Sequence, residues 1–408
     1  MRRLTRSVHP ADRLRGATSR LLEGKTVVLG VTGSIAAVRT VELARELIRH
    51  GARVVPVMTK DAQKILHPYA LEFATGVRPV TEITGQVEHV TLLGRGEGKA
   101  DLLLIAPATG NTISKMAYGI DDSPVTTFFA TAAAANPVML APAMHDTMYD
   151  NPVLVRNLET LRSMGVDVLA SVIEESKAKM LEPEAIVEHV LRRLGPRTLA
   201  GKRVLVVNGA TQEAVDDMRV LSNRSTGRMG AALAREAFRL GADVEHWYAH
   251  GDVRELPRVP TQRFSSVEDL LALAPRAHAF DAVLVPAALS DFAPDRTSGK
   301  IPSDAGPTTL KLHPLPKFVR ELRKHAPDAA LVSFKAEAGA TEAQLVEKAR
   351  RSGELAGSRF IVANLIANAG SETARVLLVD RASAAPLEGT KDEVARGILA
   401  RLAEELRA

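Results

Sequence analysis

The chain runs twice through one local grammar: a short β-rich run, a glycine turn, then a helix with apolar residues every three to four positions. That repetition restricts the fold more than any other feature of the sequence. In the first pass Lys25–Val31 (KTVVLGV) is the β-rich run and Thr32-Gly33-Ser34 the turn. The helix is Ile35–His50, with Val38, Val41, Ala44, Leu47 and Ile48 at helical spacing before Gly51 stops it. Arg53–Met58, Asp101–Ile105 and Asn136–Ala141 read as further strands. A turn-rich joint, Leu194–Lys202, separates this pass from the next. The second pass has a strand at Arg203–Val207, a turn at Gly209-Ala210-Thr211 and a helix at Met229–Leu240. Strands at Asp243–Trp247, Asp281–Pro286, Ala330–Phe334 and Phe360–Ala363 follow, with Arg375–Val379 as an edge strand. Alternating strands and helices predict an α/β fold, mainly parallel sheets flanked by helices. The two passes share no obvious sequence. They predict two different α/β domains, 24–195 and 196–408, behind a basic N-terminal arm, 1–23.

Composition narrows the possible functions. A length of 408 residues fits two domains. Apolar residues are 46% but aromatics only 4%, so the cores must be aliphatic, as in buried parallel strands. The absence of cysteine excludes disulfides, thiolate metal sites and a cysteine nucleophile. No apolar run is long enough to span a bilayer, so no membrane partner is expected. No continuous apolar core follows the N-terminal arginines, which argues against a signal peptide and for a cytoplasmic protein. The formal charge is +5. Before Gly24, six arginines face two acids, a net +4, which leaves about +1 for the rest. A folded body without a basic face predicts no nucleic-acid partner, and the arm reads as solvated or subunit-bridging.

In an open α/β sheet, ligands bind beyond the carboxyl ends of the strands. Four segments of the first half converge there: Thr32–Ser34, Met58-Thr59-Lys60, Ala106–Asn111 and Pro142–Tyr149. Gly33 and Ser34 open a helix whose N–H groups can hold a phosphate. The small residues Ala106, Pro107, Ala108 and Thr109 let a flat ring approach the backbone. Any one such turn is common in α/β proteins; four at consecutive strand ends say more.

The strings VTGSIAA (31–37), VMTKDAQKIL (57–66), APATGNTISKMAYGI (106–120) and PAMHDTMY (142–149) resemble the flavoprotein cysteine decarboxylases, and within them the phosphopantothenoylcysteine decarboxylase domain. The likeness covers roughly 24–190 and implies a flavodoxin- or Rossmann-like domain with FMN at a subunit interface. It implies Gly33, Ser34, Thr59 and Ala106–Thr109 as flavin contacts. Asn111, Met144 and His145 then lie on the substrate. His89, shortly before the ADLLLIAPAT strand, holds the place of the family's catalytic base, and a neutral imidazole suits that role. The implied chemistry is oxidation of a cysteinyl group to a thioaldehyde, loss of carbon dioxide, and return of the electrons. Two departures stand out. His145 replaces the asparagine of the family's PAMN motif. The flap cysteine of bacterial members is absent; SVIEESKAKML (171–181) stands there, Glu/Lys-rich as in archaeal-type members. Glu175, Lys177 or Lys179 can close over an anionic substrate and supply the proton.

VVNGATQEAVDDMRVLSNRSTGRMG (206–230) resembles the signature of the phosphopantothenate–cysteine ligases, and the likeness runs from about 202 to 400. It implies a Rossmann-like domain in which Asn223 stabilises an acyl-nucleotide. Ser225, Thr226 and Gly227 cradle phosphate at a helix start. PAALSDFAPDRTSGKI (286–301) implies Asp291 as ligand of Mg²⁺ or Mn²⁺. In the same likeness Phe292 lies by the base, Lys300 on the phosphates, and Lys317 and Phe318 contribute to the base pocket. The implied reaction activates 4′-phosphopantothenate with a nucleotide, CTP favoured over ATP, and joins it to cysteine. The first half then decarboxylates the product to 4′-phosphopantetheine. The family implies trimeric flavin domains and dimeric ligase domains, hence a homo-oligomer as large as a dodecamer. The competing readings are one active half, or a flavoprotein with a regulatory or scaffold role.

Overall fold

The structure, a computed structural model, describes residues 9–96, 99–174, 177–253, 256, 259–302, 306–365 and 373–407. The chain divides into two compact units, Met1–Gly195 and Pro196–Ala408.

The strands of the first unit are β1 (Thr26–Val31), β2 (Arg53–Met58), β3 (Leu102–Ala108), β4 (Val138–Pro142), β5 (Met144–His145), β6 (Asp167–Val168), β7 (Val172–Glu174) and β8 (Lys177–Lys179). Five form a parallel sheet in the order β2-β1-β3-β4-β6. The chain goes out from β1 to β2 and returns to β3, so the switch point of the sheet lies between β1 and β3. Alternate strand residues feed two aliphatic cores: Val27, Leu29, Leu102 and Leu104 on one face, Val28, Val57, Leu103 and Ile105 on the other. β5, β7 and β8 form a small antiparallel sheet that pairs His145 with Lys177 and Met144 with Ala178.

Two expectations for this unit are corrected. The segment predicted as a solvated or subunit-bridging arm is folded onto the unit from residue 9 onward. Pro10–Leu14 is a short helix, Ala11 and Leu22 are buried, and Arg15 donates to the carbonyl of Ala52 at 2.7 Å. The arginines dominate the composition of this segment and mask the apolar residues that anchor it. The helix predicted over Ile35–His50 begins as a 3₁₀ turn, Ile35–Arg39, capped by Ser34, and becomes α-helical only at Thr40–Arg49.

The second unit contains β9 (Arg203–Asn208), β10 (Gln212–Ala214), β11 (Val220–Ser222), β12 (Asp243–Tyr248), β13 (Thr261–Arg263), β14 (Ala282–Val285), β15 (Phe292–Pro294), β16 (Leu312–Pro314), β17 (Ala330–Glu337), β18 (Phe360–Leu365), β19 (Thr373–Val379) and β20 (Ala384–Thr390). The main sheet runs β13-β12-β9-β14-β17-β18-β19-β20, parallel from β13 to β18. Its switch point lies between β9 and β14. Two hairpins, β10–β11 and β15–β16, stand apart from this sheet. The predicted edge strand is not at the edge: β19 pairs antiparallel with both β18 and β20. The turn that makes this hairpin is built on Asp380, which accepts from the amides of Ala382 and Ser383 at 2.8 and 2.6 Å. Pro386 sits in β20, where an edge strand tolerates it.

Candidate functional sites

At the switch point of the first unit, Thr32 ties the two neighbouring loops together. Its hydroxyl donates to the carbonyl of Pro107 at 2.7 Å and accepts from the amide of Thr109 at 3.0 Å. Thr59, at the end of β2, donates its amide to Val31 at 3.0 Å. A Cβ on Gly33 would lie 2.6 Å from Cβ of Asp61, so glycine is what lets the β1 turn pass the start of the next helix. Ser34, Thr59 and Thr109 each cap a helix by accepting a backbone N–H. A hydroxyl used as a cap acceptor keeps its own O–H to donate, and this suits an anionic group. Asn111 is exposed beside Thr109, Met144 is half-buried, and His145 is exposed. Gly33, Ser34, Thr59, Thr109 and their neighbours therefore fit a flat, phosphate-bearing cofactor.

Three predicted contacts are placed otherwise. Ala106 and Ala108 are fully buried, one in each core, because they belong to β3 itself and not to the loop beyond it. Pro107 is buried between them, on a cis peptide. Of this run only Thr109 reaches the surface.

His89 is not brought to the strand ends. It sits in the helix Glu88–Leu93, whose last carbonyls, Leu92 and Leu93, accept from Ala100 and Asn136 just before β3 and β4. That is the amino edge of the sheet. Six helical residues rise only about 9 Å, against roughly 23 Å for a seven-residue strand. The imidazole meets Phe128 edge-on, 6.4 Å between centroids, and its Nδ1 is buried with no partner among the described residues. A buried ring nitrogen left unpaired is a group waiting for a partner.

The flap expected over 171–181 is the β7–β8 hairpin. Its register sets exposed Lys177 directly across from His145, and Lys179 two residues on. Glu175 lies outside the described residues.

In the second unit three loops meet beside the β9–β14 switch point. Ala288 receives the backbone from Gly209: its amide donates to that carbonyl at 2.8 Å, and its own carbonyl accepts from the side-chain amide of Asn223 at 3.3 Å. Thr211 and Ser290 exchange hydrogen bonds at 2.9 and 3.0 Å. Asp291 follows at once, ion-paired with Lys317. Asn223 and Asp291 are thus held on the same two loops. Ser225, Thr226 and Gly227 form the turn into the helix Arg228–Arg239; Gly227 has φ 71° and its amide donates to Ser225 Oγ.

Lys300 is exposed on a loop docked to the far tip of the β10–β11 hairpin. Asp216 accepts from the amides of Ile301, Met218 and Arg219 and from the Arg219 guanidinium. Burial pushes its carboxyl up, but these hydrogen bonds outweigh burial and bring it to about 2. Asp217 accepts from Gly299 and Arg296, each at 3.0 Å. The docking pins the backbone on both sides of Lys300. Asn223 lies at the other end of this hairpin, about 10 Å away along a three-residue strand. Nothing in the lone DDMR string announced this clasp; its partner is some eighty residues distant in sequence.

Phe292 is half exposed in β15. Phe318, predicted in the base pocket, is 2% exposed and belongs to the core with Leu322 and Val283. It opens the helix Phe318–His325, and its side chain turns toward the sheet. Among the described residues no three His, Asp or Glu side chains cluster as a metal site. Asp291 alone fits one position of a hard cation; the others would be phosphate oxygens and water. No helix among the described residues is long and apolar enough to cross a membrane.

Residues 15–195 match the flavoprotein family model, and residues 199–406 match the DNA/pantothenate metabolism flavoprotein C-terminal domain. The chain is 47% identical over 393 residues to the coenzyme A biosynthesis bifunctional protein CoaBC of Thermococcus kodakarensis, covering 95% of this chain and 97% of that one. It is 35% identical to the protein of the same name in Methanocaldococcus jannaschii, over 96% of each. A crystal structure of a DNA/pantothenate metabolism flavoprotein from Streptococcus pneumoniae aligns with 50% of this chain and 100% of its own, at 23% identity and TM-score 0.47. The chain belongs to the bifunctional enzymes of coenzyme A biosynthesis, with a flavoprotein decarboxylase half followed by a ligase half.

Proposed function

We propose that the second unit joins cysteine to 4′-phosphopantothenate at the expense of CTP, and that the first unit then decarboxylates 4′-phosphopantothenoylcysteine to 4′-phosphopantetheine with FMN. The observation that carries this reading is the meeting of Asn223, Asp291 and the Ser225–Gly227 turn at one switch point.

The substrate carboxylate attacks the α-phosphate of the nucleotide and pyrophosphate leaves. Cysteine's amine then displaces the nucleotide monophosphate. The Asn223 amide donates to the oxygen that gains charge in these steps. Amides at the Ser225–Gly227 turn hold phosphate, and Lys300 closes over the triphosphate from its docked loop. Asp291, ion-paired with Lys317, would offer its carboxylate to a divalent cation, which would offset the charge of the nucleotide's phosphates. Phe292 offers an exposed face to the base.

In the first unit Gly33, Ser34, Thr59 and Thr109 hold the phosphate end of FMN. FMN supplies the two-electron oxidation of the cysteinyl carbon–sulfur bond and the later return of those electrons. His89 takes the proton, and because its own chain keeps it off the strand ends, it acts on the site of a neighbouring copy. His145 binds the substrate carboxylate by charge-assisted donation, and Lys177 across from it returns the proton. This arrangement makes the protein a homo-oligomer.

The test is one incubation with 4′-phosphopantothenate, cysteine, Mg²⁺ and either CTP or ATP, with pyrophosphate and carbon dioxide followed separately. Release of both, in that order and faster with CTP, is expected. Pyrophosphate without carbon dioxide sinks the two-step reading, and a preparation that binds no added FMN sinks the decarboxylase assignment.

A further inference from the structure

Beneath the phosphate turn of the ligase half lies a buried polar pair that none of the proposed chemistry uses. Asn208 ends β9 and His246 lies on β12; they are 1% and 2% exposed. Asn208 Nδ2 is 2.8 Å from the carbonyl oxygen of Gly227 and 3.1 Å from His246 Nε2. A carbonyl can only accept, so the amide nitrogen must face it. The same nitrogen then gives its second hydrogen to His246, and Nε2 must be the acceptor. The ring is therefore the neutral tautomer with its proton on Nδ1.

Burial first, and then the charge of Arg263 on β13, lower this imidazole to about 4 and keep it neutral. Tyr248 stacks on it from the same strand, 5.2 Å between centroids, β9 presents Asn208, and the ring's buried Nδ1 has no partner among the described residues.

The helix rests directly on the amide. A Cβ at Gly230 would come within 2.1 Å of Asn208 Cγ, and one at Gly227 within 3.4 Å of Asn208 Nδ2. The Gly227 carbonyl also accepts the helix's first hydrogen bond, from Ala231 at 3.1 Å. One residue earlier, the Thr226 carbonyl is tied to the Asp252 amide at 3.1 Å. Both carbonyls are thus held by bonds within the unit, and the Gly227 amide by Ser225 Oγ, which fixes the course of the turn.

We propose that Asn208 and His246 are positioning residues of the ligase half: they hold the Ser225–Gly227 turn in the orientation that binds the nucleotide's phosphates. This rests on the ligase reading given above. Neither residue touches the substrate. Their contribution passes through the Gly227 carbonyl, and it requires an uncharged acceptor at position 246.

The experiment uses the full chain and measures pyrophosphate release against CTP, ATP and cysteine in separate titrations. Carbon dioxide release from 4′-phosphopantothenoylcysteine is the folding control on the other unit. Asn208→Ala should raise the nucleotide KM about tenfold, the effect of one buried hydrogen bond. The KM for cysteine and kcat should stay within about threefold. His246→Leu removes the acceptor at similar size and should also raise the nucleotide KM, by about fivefold or more. His246→Gln restores a neutral acceptor and should bring it back to within about threefold of the wild type. If Asn208→Ala does not fold, the Leu and Gln variants decide. Equal effects on the nucleotide and cysteine constants, or no difference between Leu and Gln, overturn the proposal and leave the pair merely structural. A wild-type chain that releases no pyrophosphate with either nucleotide overturns the ligase reading itself, a distinguishable failure.

Discussion

The two halves follow the same plan, a parallel sheet with ligand loops at a switch point, yet they complete their sites differently. In the ligase half, Asn223 and Asp291 sit on loops tied together within one chain, through the Ala288 carbonyl and the Thr211–Ser290 hydrogen bonds, and the Ser225–Gly227 turn follows closely on Asn223. In the flavoprotein half Thr32, Thr59 and Thr109 share a strand-end edge, while His89 sits in a helix that ends at the opposite edge, its buried Nδ1 without a partner among the described residues. The difference teaches that a shared fold fixes where a ligand lands but not where the reactive group comes from. On the reading proposed above, one site is closed by loops of its own chain and the other by a second copy.

The largest effect that tests this contrast is expected at His89. His89→Asn should lower carbon dioxide release by about a thousandfold, as for loss of a general base, and leave pyrophosphate release unchanged. Mixing it with Gly33→Ala, whose added Cβ meets Asp61, should restore some carbon dioxide release through hybrid oligomers. Absence of any recovery would mean that His89 serves its own chain. Next comes Asn223→Asp, which should cost roughly a hundredfold or more in ligation with decarboxylation intact; loss of both activities would break the picture of two independent sites.

A pH-dependent stability difference follows from His246. Its folded pKa, about 4, lies below the ordinary 6.5, so between those values the unfolded chain binds more protons. The ligase half should lose stability as pH falls through that window, by at most about 3 kcal/mol, and His246→Gln should flatten the dependence in thermal melts monitored by Trp247. The smallest effect is expected at Asp217. Asp217→Ala frees Gly299 and Arg296 and should raise the nucleotide KM about tenfold or less; an unchanged KM would show that the clasp on the Lys300 loop has no part in binding.

Legibility in the sequence followed the range of the interactions. The strands β1 and β9 were readable because an aliphatic run closed by a glycine turn is a local signal. Strand β20 was not, since its small, proline-containing sequence is a strand only because a tight turn at Asp380 folds it onto β19. Ala106 and Ala108 looked like loop residues because Pro107 suggested the strand had ended, whereas β3 runs on through it. Phe318 looked like a ligand contact because it follows Lys317, but helix phase points it inward.

The sequence by itself determined two α/β units, their aliphatic cores and the family to which the chain belongs, all of which rest on residues close together along the chain or on whole motif strings. Only the tertiary structure decided that His145 faces Lys177, that Asp216 and Asp217 clasp the Lys300 loop, that Asn208 joins His246 to the Gly227 carbonyl, and that His89 stands apart from the strand ends. Each of these depends on register or on hydrogen bonds between segments tens of residues apart. No local periodicity encodes such distances; they are set when the sheets close and buried polar groups must find partners.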